Sequence, residues 1–344
     1  MTIQHIFKNT NAKFYKPYVN FINENFNPGE HYFMIEKYAN NSNEEKIGDN
    51  VEFIGIKLYP KLIKRLYAAD KIILHSLMSS RLVLILFFQP WLLKKCYWVI
   101  WGSDLYYHNK RNKSIKHLLY DKVRGCVIKN LHGIITYVKG TYELAKVWYS
   151  TKADFYPSIL YLSNVFEENK YNKQTDSNKY VLIGNSADPS NNHKEVLMKI
   201  KTLNNEISKI ICPLSYGDKQ YKDEIIKVGN SLYGDRFEPL DVFLPYTEYL
   251  QLLGNVDIAI FNHRRGQAMG NIINLLGMGK KIYMRDDIAT YHMLKDLGVV
   301  VYPINKGEIT FEMNQMIKNQ NMRLIKEHFS YEKLREGWKN VFEA

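Results

Sequence analysis

Apolar positions along this chain fall into two alternating kinds of run: short stretches dense in Ile, Val, Leu and Tyr, and longer ones with apolar residues every three to four positions. The first kind predicts strands and the second amphipathic helices. Strands are expected at Ile3 to Phe7, His31 to Ile35, Lys71 to His75, Tyr97 to Trp101 and Gly133 to Thr136. Helices are expected between them at Phe14 to Asn25, Pro60 to Ala69, Ser80 to Phe88, Lys113 to Lys129 and Thr141 to Tyr149.

A second alternation begins at strand Tyr180 to Gly184 and continues through helix Asn192 to Leu203, strand Lys209 to Pro213 and helix Lys219 to Tyr233. It runs on through helix Pro245 to Leu253, strand Asp257 to Phe261, helix Gln267 to Gly277, strand Lys281 to Met284, helix Ile288 to Leu297 and strand Val299 to Tyr302. Between the two alternations, Glu167 to Lys179 contains no aliphatic residue and is dense in Asn, Lys and acids, the composition of an exposed connection. Strands joined through helices pair in parallel by right-handed crossovers. The expected class is therefore α/β with two doubly wound, Rossmann-like domains facing a cleft: residues 1–166, residues 167–329, and a final helix over 330–344. A length of 344 residues agrees with two domains of about 150 each.

Composition narrows the class further. With 46% hydrophobic and 24% charged residues, the chain is neither disordered nor fibrous. Cys96, Cys126 and Cys212 are far apart and form no C-x-x-C pair, which argues against a disulfide framework or a zinc ribbon. Met1 to Lys8 lacks the pattern of a secretory signal. The longest apolar stretch, Leu82 to Leu93, is broken by Gln89 and Pro90 and is too short to span a bilayer, which takes about 20 residues. Lys and Arg number 47 against 35 acids, a net +12 that attracts polyanions. Cations cluster at Lys57, Lys61, Lys64 and Arg65, and again at Lys110, Arg111, Lys113, Lys116, Lys122, Arg124 and Lys129. Next to Leu82 to Leu93, they read either as a face for an anionic membrane surface or as an ordinary solubilising surface. No RNP-like or other nucleic-acid-reading motif accompanies them, so nucleic acid is not an expected partner.

In doubly wound sheets ligands gather beyond the carboxyl ends of the strands. Four segments occupy such positions or flank them. Gly184 to His193, Gly-Asn-Ser-Ala-Asp-Pro-Ser-Asn-Asn-His, follows a strand and precedes a helix. Gly184, Asn185, Ser186, Asp188, Ser190, Asn191 and His193 there suit either a capped turn or a loop whose amides face a phosphate. Asn262 to Gly270 places Arg265, Gln267 and Gly270 at the next such junction, where an arginine near a helix start suits a diphosphate. Trp101 to Tyr106 puts Asp104 after a first-domain strand, either as a cap or as a group that orients an acceptor hydroxyl. His75 ends the neighbouring strand, either as a structural histidine or within reach of the same cleft. No G-x-G-x-x-G, P-loop, H-E-x-x-H or D-x-D element is present, so no cofactor and no protein-held metal is expected.

These motifs carry a resemblance. Trp101 to Tyr106 is similar to a Trp-Gly-small-Asp-Leu-Tyr element, and Gly184 to His193 to a Gly-Asn-Ser-x-Asp-x-Ser-Asn-x-His element, of the TDP-N-acetylfucosamine:lipid II N-acetylfucosaminyltransferases, or 4-alpha-L-fucosyltransferases. Arg265, Gln267 and Gly270 match an Arg-x-Gln-x-x-Gly element, and Pro213, Tyr216, the Tyr249-Leu250 pair and Asp257 fall at similar positions. The resemblance runs from about Lys71 to Arg285. It implies a GT-B glycosyltransferase: metal-independent, retaining and peripheral on the cytoplasmic face of the bacterial inner membrane. It also implies a dTDP-sugar donor, a polyprenyl-diphosphate-linked saccharide acceptor, and a place in enterobacterial common antigen or O-antigen assembly. By that analogy the second domain holds the donor, and Asp104 and His75 stand near the acceptor. A UDP- or GDP-sugar transferase for another surface polysaccharide is the alternative.

Overall fold

The structure, a computed structural model, describes residues 1–8, 12–36, 47–55, 58–109, 114–168 and 178–344. Lys57, Lys110, Arg111, Lys113 and most of the polar connection expected over 167–179 lie outside the described residues. By internal packing the chain divides into two units, Met1–Ser163 with Glu332–Ala344, and Asn164–Tyr331.

The first unit is a seven-stranded parallel sheet of order β3-β2-β1-β4-β5-β6-β7. Its strands are β1 (Ile3–Phe7), β2 (His31–Glu36), β3 (Val51–Ile54), β4 (Lys71–His75), β5 (Cys96–Val99), β6 (Gly133–Ile135) and β7 (Asp154–Tyr156). The winding direction reverses between β1 and β4. The crossover helices after the reversal are α2 (Tyr59–Ala68), α3 (Ser80–Phe88), α4 (Ile115–Lys129) and α5 (Lys139–Tyr149). Moving always toward β7, right-handed crossovers put these four helices on one face of the sheet. They share one apolar core there with Ile72, Leu74, Trp98 and Ile134. Helix α1 (Ala12–Asn25) joins β1 to β2 in the opposite direction and so covers the other face. Ser79 caps α3 by accepting from the Leu82 amide, and Ser114 caps α4 in the same way for His117.

Helix α12 (Tyr331–Glu343) belongs to this unit although it lies at the far end of the sequence. Leu334, Trp338, Val341 and Phe342 lie on one helical face and are all buried. Gly337 lets that face close down on the backbone near Ser158, where an added Cβ would stand 2.6 Å from the hydroxyl oxygen. The buried Lys71 ammonium donates to the carbonyls of Val341, Phe342 and Ala344 at 3.1, 2.8 and 3.1 Å, satisfying the end of the helix.

The second unit holds a six-stranded parallel sheet of order β10-β9-β8-β11-β12-β13. Its strands are β8 (Tyr180–Ile183), β9 (Lys209–Pro213), β10 (Phe237–Leu240), β11 (Ile258–Phe261), β12 (Lys281–Met284) and β13 (Tyr302–Pro303). Helices α6 (His193–Lys199), α7 (Lys219–Tyr233), α8 (Tyr246–Asn255), α9 (Met269–Gly277), α10 (Ala289–Asp296) and α11 (Gln315–His328) complete it. Here the winding reverses between β8 and β11, so the loops after these two strands flank the switch point. Several element bounds here differ from the sequence expectation. Helix α9 begins two residues late because Ala268 adopts φ 61°, which ends the turn before the helix. The long helix expected over Asn192 to Leu203 ends as α-helix at Lys199 and tightens into a 3-10 turn over Ile200–Leu203. The last strand shrinks to Tyr302–Pro303.

Candidate active site

In the second unit the loops after β8 and β11 are tied to one another side by side. Arg265 donates to the Asp188 carboxylate at 2.7 Å, the Arg264 amide to the Ser190 carbonyl at 3.3 Å, and the Ser190 hydroxyl to Gln267 at 3.4 Å. Asn192, held at φ 51°, donates from one side-chain nitrogen to the carbonyls of Ser190 and Asn262 at 2.9 and 2.8 Å. The loop after β9 joins them, because the Ala187 amide donates to Tyr216 at 2.7 Å and Asn185 donates to the Tyr216 hydroxyl at 3.0 Å. The sequence-predicted residues Gly184, Asn185, Ser186, Asp188, Ser190, Asn191, His193, Arg265 and Gln267 therefore belong to one bonded cluster of loops. Gly270 sits beside it, in the first turn of α9, where its carbonyl accepts from Asn274.

Gly184 is required twice over. Its φ is +68°, and a Cβ built there would lie 2.4 Å from the His193 ring nitrogen Nε2. Burial drives the His193 imidazole pKa down to about 4 against the opposing charge of Asp188, so the ring is neutral. Burial also works against the Asp188 charge, but Arg265 and the Ser190 hydrogen bonds outweigh it and hold the carboxyl below its usual range. The Arg265 guanidinium spends one nitrogen on that carboxylate and keeps further donors in the same plane.

Unused hydrogen-bonding capacity concentrates at this point. Eight buried side-chain polar atoms without a partner lie on Asn185, Asn191, His193, Asn262, His263 and Gln267. Each such atom costs about 1–3 kcal/mol when left unmade, so clustering them is tolerated where a polar ligand completes them. Asn262 and His263, both buried at the carboxyl end of β11, were not among the sequence-predicted site residues. Their only signal is position, immediately after an apolar strand at a switch point. Burial, with Arg265 nearby, brings the His263 pKa down to about 4. No group of three or more His, Cys, Asp or Glu side chains suited to a metal occurs among the described residues.

In the first unit Asp104 and His75 are held in the structural settings that the sequence left open beside an acceptor-facing one. Asp104 is fully buried and accepts four hydrogen bonds: from the Trp101 and Leu105 amides at 3.0 Å each, the Leu77 amide at 3.2 Å and the Trp98 indole at 2.8 Å. A carboxylate offers about four acceptor positions, so none remains for an acceptor hydroxyl. Asp104 instead pins the loop after β5 to the loop after β4, where Ser76 holds a left-handed φ of 77°. Arg124, expected on a basic surface, is buried too, and donates to the Asp104 carbonyl at 2.7 Å and the Leu77 carbonyl at 3.2 Å.

His75 is enclosed, stacked on Phe7 with ring centroids 3.8 Å apart. Its Nδ1 meets the Tyr161 hydroxyl at 2.8 Å, and its Nε2 faces His5 Nδ1 at 3.4 Å. His5 Nε2 in turn meets His31 Nδ1 at 3.0 Å. Burial, reinforced by the neighbouring imidazoles, keeps the His5 pKa well below its ordinary value; burial alone does so for His75. His31 is lowered to about 4, again chiefly by burial. His75 reaches the loop Trp101–Tyr106 through Tyr161, which accepts from the Trp101 indole at 2.6 Å.

The chain resembles solved structures over nearly its full length. The Anabaena protein HepE, solved with UDP and glucose, aligns with TM-score 0.68 and 11% identity, covering 100% of both chains. An α,α-trehalose-phosphate synthase (UDP-forming) from Burkholderia vietnamiensis gives 0.63 at 8% identity over 100% of this chain and 99% of that one. WaaG, a glycosyltransferase involved in lipopolysaccharide biosynthesis, gives 0.59 at 9% identity over 99% and 93%. These are GT-B glycosyltransferases, and this chain has their two-domain α/β fold. A family model described as 4-alpha-L-fucosyltransferase, glycosyl transferase group 56, matches residues 3–344, and the chain belongs to that glycosyltransferase family.

Proposed function

We propose that this glycosyltransferase moves an N-acetylated deoxyhexose, 4-acetamido-4,6-dideoxygalactose, from a dTDP-sugar to a polyprenyl-diphosphate-linked saccharide. The setting is the cytoplasmic face of the bacterial inner membrane, in enterobacterial common antigen or O-antigen assembly. One observation carries the reading: partnerless buried polar atoms converge beside Arg265 at the switch point of the second sheet. The family description, a transferase of a deoxyhexose, supports the choice of sugar.

The donor diphosphate lies against the Gly184 to His193 loop, with Arg265 neutralising charge that grows on it as the glycosidic bond breaks. Asn262 and His263 offer hydrogen bonds to polar groups of the donor. The bond from the anomeric carbon to the diphosphate oxygen breaks, and a bond to the acceptor hydroxyl oxygen forms on the same face. The hydroxyl proton passes to the departing diphosphate, so retention needs no protein base. That fits Asp104 as a positioning residue and His75 as a group acting through Tyr161 and Trp101. No metal takes part in this scheme.

Thermal-shift titration with dTDP, UDP and GDP tests the donor, since a ligand stabilises by RT ln(1+[L]/Kd). The largest shift is expected with dTDP. The smallest shift with dTDP favours the alternative, a UDP- or GDP-sugar transferase, for which HepE solved with UDP is the relevant precedent. Mass spectrometry of lipid-linked glycans after incubation with extracted lipid names the added sugar.

A further inference from the structure

The outer side of the helical layer of the first unit is inverted in character. Helices turn apolar stripes inward to the core and polar ones to water. On α4, however, Ile115, Leu118 and Leu119 face outward at spacings of three and four, with Ile115 77% and Leu119 59% exposed. On α3 and the 3-10 turn that follows it over Pro90–Lys95, Leu84, Phe88 and Trp91 do the same, Phe88 being 70% and Trp91 55% exposed. Helices α3 and α4 pack against each other on one side of the sheet, so both stripes lie on the same outer layer.

Charge on this layer is almost wholly of one sign. Helices α2, α3 and α4 and the turn Pro90–Lys95 together carry ten Lys and Arg and one acid, Asp121. That acid is buried and engaged by Arg124, Tyr149 and His108, so it neutralises nothing outside. Arg81, Lys94, Lys116 and Lys122 flank the apolar side chains and are exposed. Large apolar side chains ringed by cations, with a tryptophan among them, match a bilayer interface with anionic headgroups. A second copy of the chain would bring two such cationic faces together in an isologous contact, which the charge opposes. No helix among the described residues is long and apolar enough to cross a membrane, so the contact is one of lying on the surface.

We propose that the face formed by α3, the turn Pro90–Lys95 and α4 docks onto an anionic lipid bilayer, with Phe88, Trp91, Ile115 and Leu119 entering the headgroup region. The inference deepens the proposed use of a lipid-linked acceptor by giving the surface on which the protein meets that lipid. The test is flotation of the full chain with vesicles of phosphatidylethanolamine and phosphatidylglycerol at 7:3, against pure phosphatidylcholine. Binding is expected to be at least tenfold stronger to the anionic vesicles and weakened by 0.5 M NaCl. I115S/L119S and K116E/K122E are each expected to lose tenfold or more, while their thermal shift with the nucleoside diphosphate stays that of the unsubstituted protein. Trp91 supplies a second readout: quenching by brominated lipid should fall in W91F.

Unchanged flotation of both double variants, or no binding to anionic vesicles by the unsubstituted protein, overturns the assignment. A dimer in light scattering that I115S/L119S dissociates also overturns it, in favour of a self-contact. Failure here with an intact nucleotide shift and intact transfer leaves the transferase reading standing. Loss of the nucleotide shift in the unsubstituted protein would sink that reading and leave the lipid contact untouched.

Discussion

The Trp101 indole donates to the Tyr161 hydroxyl at 2.6 Å, and that hydroxyl stands 2.8 Å from His75 Nδ1 at the end of a line of three buried histidines. An indole nitrogen only donates, so the Tyr161 oxygen accepts there, and its own proton is expected to point to His75 Nδ1, 2.8 Å away. With the proton so placed, His75 carries its own on Nε2, toward His5 Nδ1, and His5 on Nε2, toward His31 Nδ1. In that arrangement the hydrogen bonds run one way across β4, β1 and β2 through neutral rings.

Tyr161→Phe is expected to cut this chain at its source. It leaves His75 Nδ1 unpaired and removes the oxygen that the Trp101 indole donates to, a loss of about 1–3 kcal/mol in urea unfolding. Nitrogen-15 spectra at pH 7 should show three Nε2-protonated imidazoles in the unsubstituted protein and a tautomer mixture at His75 in the variant. A His75 already protonated on Nδ1 before substitution would contradict the scheme.

Acid should destabilise the protein before its carboxylates titrate. His31, His193 and His263 each have a folded pKa near 4, against about 6.5 unfolded. Between those values the unfolded chain binds more protons, so stability is full above pH 6.5 and falls as pH drops toward 4. Each group accounts for on the order of 3 kcal/mol across that window. Urea midpoints at pH 7.5 and pH 5 measure the slope. His193→Gln should flatten it, and a midpoint independent of pH would refute the neutral-ring assignment.

Asp104→Asn separates a brace from a base. The amide turns two donors toward groups that themselves donate, so unfolding should come earlier by about 2–4 kcal/mol, with transfer falling alongside. A base at this position would instead lose turnover at unchanged melting temperature.

Arg265→Ala removes the guanidinium and leaves the Asp188 carboxylate without its cation. Nucleoside diphosphate affinity should weaken more than tenfold by calorimetry. Arg265→Lys should restore part of it, since one ammonium replaces a planar fork. Affinity within a factor of two in the Ala variant would move the diphosphate elsewhere.

The inner strands were legible in the sequence, and three of the four edge strands were not. β1, β4, β9 and β12 carry the apolar runs that predicted them, because both of their faces are covered. β3, β7 and β10 went unpredicted, and each is an edge strand. Val51–Ile54 buries only Ile54, Asp154–Tyr156 has three residues, and Phe237–Leu240 contains Pro239, which an edge tolerates. α11 escaped notice for a similar reason: it buries only Asn321 and Ile325 and so shows little periodicity.

At the candidate site, the strand-to-helix junctions marked Gly184 to His193 and Arg265 to Gly270. Asp104 and His75 sit at equivalent junctions, yet their surroundings come from distant residues: Leu77 and Trp98 around one, His5 and Tyr161 around the other. Residue type and position do not reveal whether a carboxylate's lone pairs are already occupied. Only the assembled neighbours do.

The return of α12 to the first unit has a consequence for biogenesis. During synthesis the sheet that starts at Ile3 waits for Trp338 and for the carbonyls that receive Lys71, while Asn164–Tyr331, unbroken in sequence, already has all its parts. The half made first is thus the half completed last. Until Glu332–Ala344 has emerged, a nascent chain keeps Tyr18 and His75 without their indole neighbour, a stage at which chaperone capture would have its longest opportunity.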